Sequence, residues 1–287
     1  QQKELFPEQM RYYWNMTQDS KRRTSNSLTI SLRNMYLGLY SAHNDVRIKE
    51  LKYEVAENLH NQNQLKLEKG MITEIEALES EYALEKARAE LAAARRNREN
   101  MLRSFNHFLC RDIHTDYDDI RLESQLYTIF RDYDYYLGRA LVNRAEIKQA
   151  EKQLALLEQK KRIMDRFPLS MNTVSVRKDY NNLLLDMEIQ EARLEQAKLD
   201  IEVEVKEAYI EAAAAVKNTE NMKKLLDLQK SNIDKIRRLY EKGLVSKTVL
   251  DQSEIGYLEF CSSYDLTLFD CNTKLMKLVY VSGIGMA

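Results

Sequence analysis

The sequence predicts an all-α fold of long antiparallel coiled-coil hairpins arranged in two structural repeats. Three observations carry that expectation. Seven glycines and two prolines occur in 287 residues, where average usage would give roughly 34 of the two together. Sheets and tight turns need these residues as punctuation, so a chain this poor in them consists of few, long elements. Apolar residues recur with helical period across stretches free of both, from Gly70 to Gly138 and from Pro168 to Gly243. Finally, a helix–turn–helix pattern in the first half recurs in the second at a constant offset.

The elements follow in order. The run Leu28-Thr29-Ile30-Ser31-Leu32 alternates like a strand, as does the run from Ile201 to Val205. Each is short and leads without a break into helix-like sequence, so helix is expected in both places. The first helix ends at Lys69-Gly70, where a left-handed C-cap would sit, and Thr73 stands where an N-cap would start the next. The helix from about 74 to 109 carries two stripes. One is Leu84, Ala87, Leu91, Ala94, Arg98, Met101, Phe105 and Phe108, a heptad seam with Arg98 as its one misfit. The other is Ile75, Leu78, Tyr82, Glu85, Ala89 and Ala92, on the nearly opposite side. A helix with two seams needs neighbours on both flanks, as in a closed ring or flat array; an ordinary bundle is the plainer alternative.

Residues 110–137 differ in texture, being rich in Asp and Tyr, and are expected to form a loop plus a short helix packed outside the long ones. The tyrosines of 127–136 read first as packing and second as a partner surface. A further helix is expected over about 139 to 166, ended by Pro168, with a connector reaching about Thr173 to Lys178. The second long helix then runs to Gly243, and Ser246 is placed to cap the last one.

The repeat has an offset of 173 residues, Gly70 to Gly243. Glu68-Lys69-Gly70-Met71-Ile72-Thr73 matches Glu241-Lys242-Gly243-Leu244-Val245-Ser246, and Ser80-Glu81 matches Ser253-Glu254. Tyr36, Ala42 and Leu102 align with Tyr209, Ala215 and Leu275. The offset is constant from about 28 to 108, so each copy is an αα-hairpin with a very short tip. The expected organisation is a first repeat over 1-109, an acidic, Tyr-rich segment over 110-138, and a second repeat over 139-287. The first helix of the first repeat would lie before Gln1. A chain that opens on Gln1 fits a mature or trimmed product, with any export signal upstream.

On these residues the chain resembles the TolC-like outer-membrane efflux channel family. The resemblance is carried by the duplicated tips and by Val249-Leu250-Asp251-Gln252-Ser253-Glu254 after the second. Ala140-Leu141-Val142-Asn143-Arg144-Ala145-Glu146-Ile147 is similar to the family's start of a repeat, and Phe167-Pro168-Leu169-Ser170 to its exit from the helix. It implies a homotrimer whose helices form a hollow α-barrel in the cell envelope. It also implies that Gly70, Met71, Ile72, Thr73, Gly243, Leu244, Val245 and Ser246 dock a periplasmic adaptor (membrane fusion) protein, and through it a pump. The other reading of these tips is local: the glycines cap helices and the apolar pairs staple the hairpins. Asp251 would face the pore and form a constricting acidic ring, or else be an ordinary solvated helix residue. Thr248 stands where the family often carries a second acid. The family also inserts two membrane strands after the Pro-ended helix. A membrane strand needs about 9 to 11 residues, and neither the run from Leu169 to Val176 nor the segment after Phe6-Pro7 has room for two. The expected protomer therefore lacks the β-barrel, whether as a trimmed product or as a natural barrel-less relative.

Other chemistries find little in the sequence. Lys and Arg number 44 against 45 Asp and Glu, so no basic excess marks a nucleic-acid binder. The Arg95-Arg96-Asn97-Arg98 cluster reads as a solvated face among acids. No phosphate loop, nucleophile elbow or His-Glu-x-x-His motif occurs, so no catalytic residue and no cofactor is expected. His107, Cys110 and His114 with Asp112 and Asp116 are metal-ligand types without a second half, and no metal site is assigned. An odd three cysteines imply no disulfide framework; Cys261 and Cys271 read as small apolar fillers. Two alternatives to a channel stand: a coiled-coil scaffold without a pore, and a curved membrane-surface helical module, which would need a basic concave face.

Overall fold

A computed structural model describes residues 2–117, 120–122, 130–166 and 173–284. Among these residues six helices follow one another: α1 (Gln2–Glu68), α2 (Glu74–Phe108), α3 (Tyr133–Asn143), α4 (Ala145–Asp165), α5 (Val174–Glu241) and α6 (Lys247–Val281). The described residues contain no strand. The runs at 28–32 and 201–205 lie inside α1 and α5, because each continues a helix of 67 or 68 residues. Both short partners, α2 and α6, have 35 residues, so the repeat seen in sequence is one of element length as well.

Packing divides the chain into two compact units: residues 31–127 with 215–272, and residues 1–30 with 128–214 and 273–287. The sequential division into 1-109, 110-138 and 139-287 follows the repeat, whereas these units follow packing.

In the first of these units, side-chain bonds give the order of neighbours. Lys49 on α1 meets Glu90 on α2 at 2.7 Å, and Glu50 meets Arg95 at 2.8 Å. On another side of α1, Lys52 meets Glu259 on α6 at 2.6 Å and the Tyr40 hydroxyl donates to Asp265 at 2.5 Å. Arg237 on α5 reaches Glu254 on α6 at 3.1 Å. The helices therefore adjoin as α2, α1, α6, α5. Leu39, Tyr40, Leu102, Phe105 and Ile120 form a buried cluster here. Burial, together with the bond to Asp265, pushes the Tyr40 phenol up to about 12.

The heptad seam of α2 faces this core. Leu91, Ala94 and Phe105 are buried, and the misfit Arg98 turns aside to bond Asp116 at 2.8 Å. The segment after α2 is pinned by Asn106, which is fully buried. Its amide donates to the carbonyls of Ile113 and Thr115 and accepts from the Tyr117 hydroxyl. A buried amide so satisfied fixes the loop without the desolvation cost of an unpaired polar group. Tyr36 packs on Phe105 and its hydroxyl donates to the Arg121 carbonyl at 2.7 Å.

In the other unit, α4 lies on α1 through Lys152–Glu8 and Arg23–Glu146, at 2.6 and 2.8 Å, and on α5 through Tyr180–Asp165 at 3.0 Å. Tyr209 stacks on Phe130 at 5.0 Å between centroids and meets Tyr133 edge-on at 5.6 Å. The repeat-related tyrosines both hold the segment joining the repeats, Tyr36 by bonding the Arg121 backbone and Tyr209 by packing on Phe130 and Tyr133.

The structure corrects the single helix expected over 139–166. Helix begins at Tyr133 and breaks at Arg144, whose backbone is extended at φ −62° and ψ 132°. The break is held by the Arg144 side chain, which donates to Glu146 at 2.7 and 3.0 Å, to Glu204 on α5 at 2.7 Å and to the Val281 carbonyl at 2.9 Å. Burial opposes the charge on both Arg144 and Glu146. Their mutual hydrogen bonds, together with Glu204 beside Arg144 and with Arg23 and a backbone bond at Glu146, more than offset it, holding the guanidinium above and the carboxyl below their usual ranges. The expected exit at Phe167-Pro168-Leu169-Ser170 lies outside the described residues.

Candidate functional site: the two hairpin tips

Both tips close by the same backbone geometry. At the first, the Gly70 amide donates to the Leu67 carbonyl and the Met71 amide to Lys66, each at 2.8 Å. At the second, Gly243 donates to Tyr240 at 2.8 Å and Leu244 to Leu239 at 2.9 Å. This paired bonding is the Schellman motif, which needs a left-handed residue after the helix. Gly70 and Gly243 supply it at φ +64° and +70°. A methyl on either would meet nothing within 4 Å, so conformation rather than crowding selects glycine here.

The capping then differs. Thr73 forms a complete capping box: its hydroxyl accepts from the Glu76 amide at 3.3 Å, while the Glu76 carboxylate accepts from the Thr73 amide at 2.7 Å. The bond from the Thr73 amide, and a second that the Thr73 hydroxyl donates to the same carboxylate at 2.9 Å, hold the Glu76 carboxyl below its usual range. Ser246 accepts from the Val249 amide at 3.4 Å, and position 249 has no carboxylate to return the bond.

Of the eight tip residues singled out in sequence, Gly70, Met71, Ile72 and Thr73 come together at one tip and Gly243, Leu244, Val245 and Ser246 at the other. Met71 is 70% exposed and Leu244 68%, while Ile72 and Val245 are half-covered. Each tip therefore presents one large apolar side chain to solvent beside a glycine that lets another backbone approach. Asp251 lies one turn into α6, half-buried, with its carboxylate 2.6 Å from the Lys247 ammonium. That hydrogen bond holds Lys247 above its usual range. The sequence reading passed over this partner, although a spacing of four residues on a helix was the signal for it. It also passed over the role of Arg144, whose partners are distant in sequence.

No group of three or more His, Cys, Asp or Glu comes together to hold a metal among the described residues. Cys110 and His114 are exposed and His114 donates its amide to Asp112. No described helix is long and apolar enough to cross a membrane.

The arrangement has clear counterparts among solved structures. The CmeC outer membrane channel of Campylobacter jejuni matches 98% of this chain and 68% of its own, at 14% identity and a TM-score of 0.58. A membrane protein from Pseudomonas aeruginosa matches 99% and 73%, at 12% identity and 0.65. The open state of the MtrE outer membrane channel of Neisseria gonorrhoeae matches 93% and 68%, at 15% identity and 0.58. No protein-family model matches the chain, and no curated protein matches it in sequence. The fold is that of TolC-like outer-membrane channels, present here as helical hairpins without a strand among the described residues.

Proposed function

We propose that this chain is a protomer of a TolC-like conduit in the cell envelope, working by docking and opening of its hairpins and not by catalysis. Copies assemble as a homotrimer around a pore, and the two tips dock a membrane-fusion adaptor that links the conduit to a pump. The observation that carries this reading is the pair of tips, alike in backbone geometry and in their exposed Met71 and Leu244, on a channel fold. An apolar side chain held out at a rigid turn is a poor use of surface unless a partner covers it.

Asp251 is proposed to line the constriction just inside the second tip, where threefold symmetry would set three carboxylates in a ring and favour cations. Lys247 at 2.6 Å makes this a ring of ion pairs, weaker in field than one of free acids.

The test replaces Met71 and Leu244 together by Glu and introduces a photo-crosslinker at each tip in the cells of origin. Expected are a stable trimer by mass photometry and tip crosslinks to a hairpin-bearing adaptor that the double variant loses. A strict monomer or dimer at high concentration, or tips that crosslink nothing, would sink the conduit and favour a coiled-coil scaffold without a pore.

A further inference from the structure

The N-terminal stretch of α1 presents aromatic side chains to solvent. Trp14 is 64% exposed, Phe6 59%, Tyr13 57% and Met10 46%. At i, i+4, i+7 and i+8 these residues share one helix face. The opposite face is the one packed on α4: Glu8 meets Lys152 at 2.6 Å, and Asp19, three turns further along that face, is half-buried as well.

The repeat shows that this exposed face is particular to α1. Positions 6–28 answer to 179–201 on α5, 173 residues on, in helices that begin within a residue of the same register. On α5 the corresponding face is covered: Tyr180 and Gln190 bond to α4, and Leu183 between them is 1% exposed. Asp179 and Asp186 stand there where α1 has Phe6 and Tyr13. Charge inverts too. Residues 6–28 hold Arg11, Lys21, Arg22 and Arg23 against Glu8 and Asp19, whereas 179–201 hold six acids against Arg193 and Lys198. Neither acid of 6–28 is an exposed residue. Arg22 and Arg23 have partners in Asp19 and Glu146, at 3.5 and 2.8 Å. Arg11 reaches Glu8 only at 3.9 Å, and both Arg11 and Lys21 are exposed beside the aromatic patch.

We propose that this face of α1 lies on an anionic phospholipid bilayer, its aromatic rings at the boundary of headgroups and acyl chains and Arg11 and Lys21 toward the phosphates. Two observations choose lipid over a covering helix. A helix would need an apolar seam, and α5 has one in Leu183, Met187, Leu194, Ala197 and Ile201; the matching line on α1 runs Met10, Trp14, Thr17, Lys21, Thr24 and Leu28, polar through its middle. Trp and Tyr pair an apolar ring with a polar N–H or O–H, which suits an interface that is oily on one side and wet on the other. Basic residues beside such rings, with the acids turned away, complement anionic headgroups. The contact is peripheral, since no described helix is long and apolar enough to cross a membrane.

Trp14 is the one tryptophan of the chain, so its emission reports this face alone. With vesicles of phosphatidylglycerol and phosphatidylcholine, the full chain should float, its emission should move to the blue, and acrylamide should quench it less. Met10→Glu with Tyr13→Glu, which keeps the probe, should weaken binding at least about tenfold. Arg11→Glu with Lys21→Glu should weaken it by about tenfold or more. Met71→Glu with Leu244→Glu at the tips should float as the parent does. A chain that stays in the buffer, that binds phosphatidylcholine alone as tightly, or that floats undiminished with either α1 pair changed overturns the contact. So does a blue shift that grows with protein concentration without vesicles, which would show that protein covers the face, and so does a loss of flotation in the tip variant. None of these results bears on the conduit, whose own test reads mass and tip crosslinks.

Discussion

The two hairpin tips share one backbone and differ in how their second helix is started. At the first, Thr73 and Glu76 exchange two bonds; at the second, Ser246 makes one long bond and the helix leans on Lys247 pairing with Asp251. The glycine turn is the part the repeat keeps, because only a left-handed residue reverses the chain in so few positions. The cap is the part that varies, because any acceptor near the first amides serves.

The largest expected effect breaks what the tips have in common. Gly70→Val and Gly243→Val should each cost about 1–2 kcal/mol, since an L side chain with a Cβ is disfavoured in the left-handed region. The two losses, read from urea unfolding midpoints, should be alike, because the angles differ by little and neither site is crowded. A large cost at one and none at the other would break the equivalence.

The next effect separates the tips. Thr73→Ala should cost about 1 kcal/mol, and Ser246→Ala clearly less, given its 3.4 Å bond and missing reciprocal acid. Equal losses would show that the capping box adds nothing.

Acid should separate them further. The Glu76 carboxyl titrates below its usual range in the folded chain, so its contribution is full above that range and is lost as pH falls through the depressed value. As pH falls through that depressed value, protection of the Thr73 amide from hydrogen exchange, which donates to the Glu76 carboxylate, should fall, while that of the Val249 amide, bonded to a hydroxyl, should not follow it. The raised Lys247 has the opposite sign: its contribution is full below the ordinary lysine range and disappears as pH rises through the raised value.

The smallest effect on stability should come from Lys247→Met, no more than about 0.5 kcal/mol for an exposed pair four residues apart on a helix. Its readout is functional instead. Freed of its partner, the Asp251 carboxylates of the assembled copies should bind a lanthanide cation more tightly by luminescence titration; unchanged binding would remove Asp251 from an acidic ring.

Much of this was legible in the sequence, and the tips most of all. Lys-Gly followed two positions later by Ile-Thr or Val-Ser states a C-cap and an N-cap in residues that bond almost wholly to their neighbours. The seam of α2 was legible for the same reason, since helical period is a local property and Arg98 stood out as its misfit. The break at Arg144 was not legible. Nothing near it demands an extended residue, and the bonds that hold it come from Glu204 and Val281, far along the chain. The loop after α2 was expected, but what pins it was hidden, because Asn106 reads as one more polar helix residue until it is seen buried among three partners.

The scarcity of glycine and proline, the helical period and the repeat by themselves determined that this protein is a pair of long hairpins with matching tips, because each depends only on residues a turn or two apart. Tertiary structure alone decided which of two repeat-related stripes is covered. Ile75, Leu78 and Tyr82 on α2 are exposed, whereas Thr248, Asp251 and Ile255 at the matching positions of α6 are half-buried, because α6 has α1 on one side and α5 on the other. Burial depends on neighbours, and neighbours are set by how the hairpins pack.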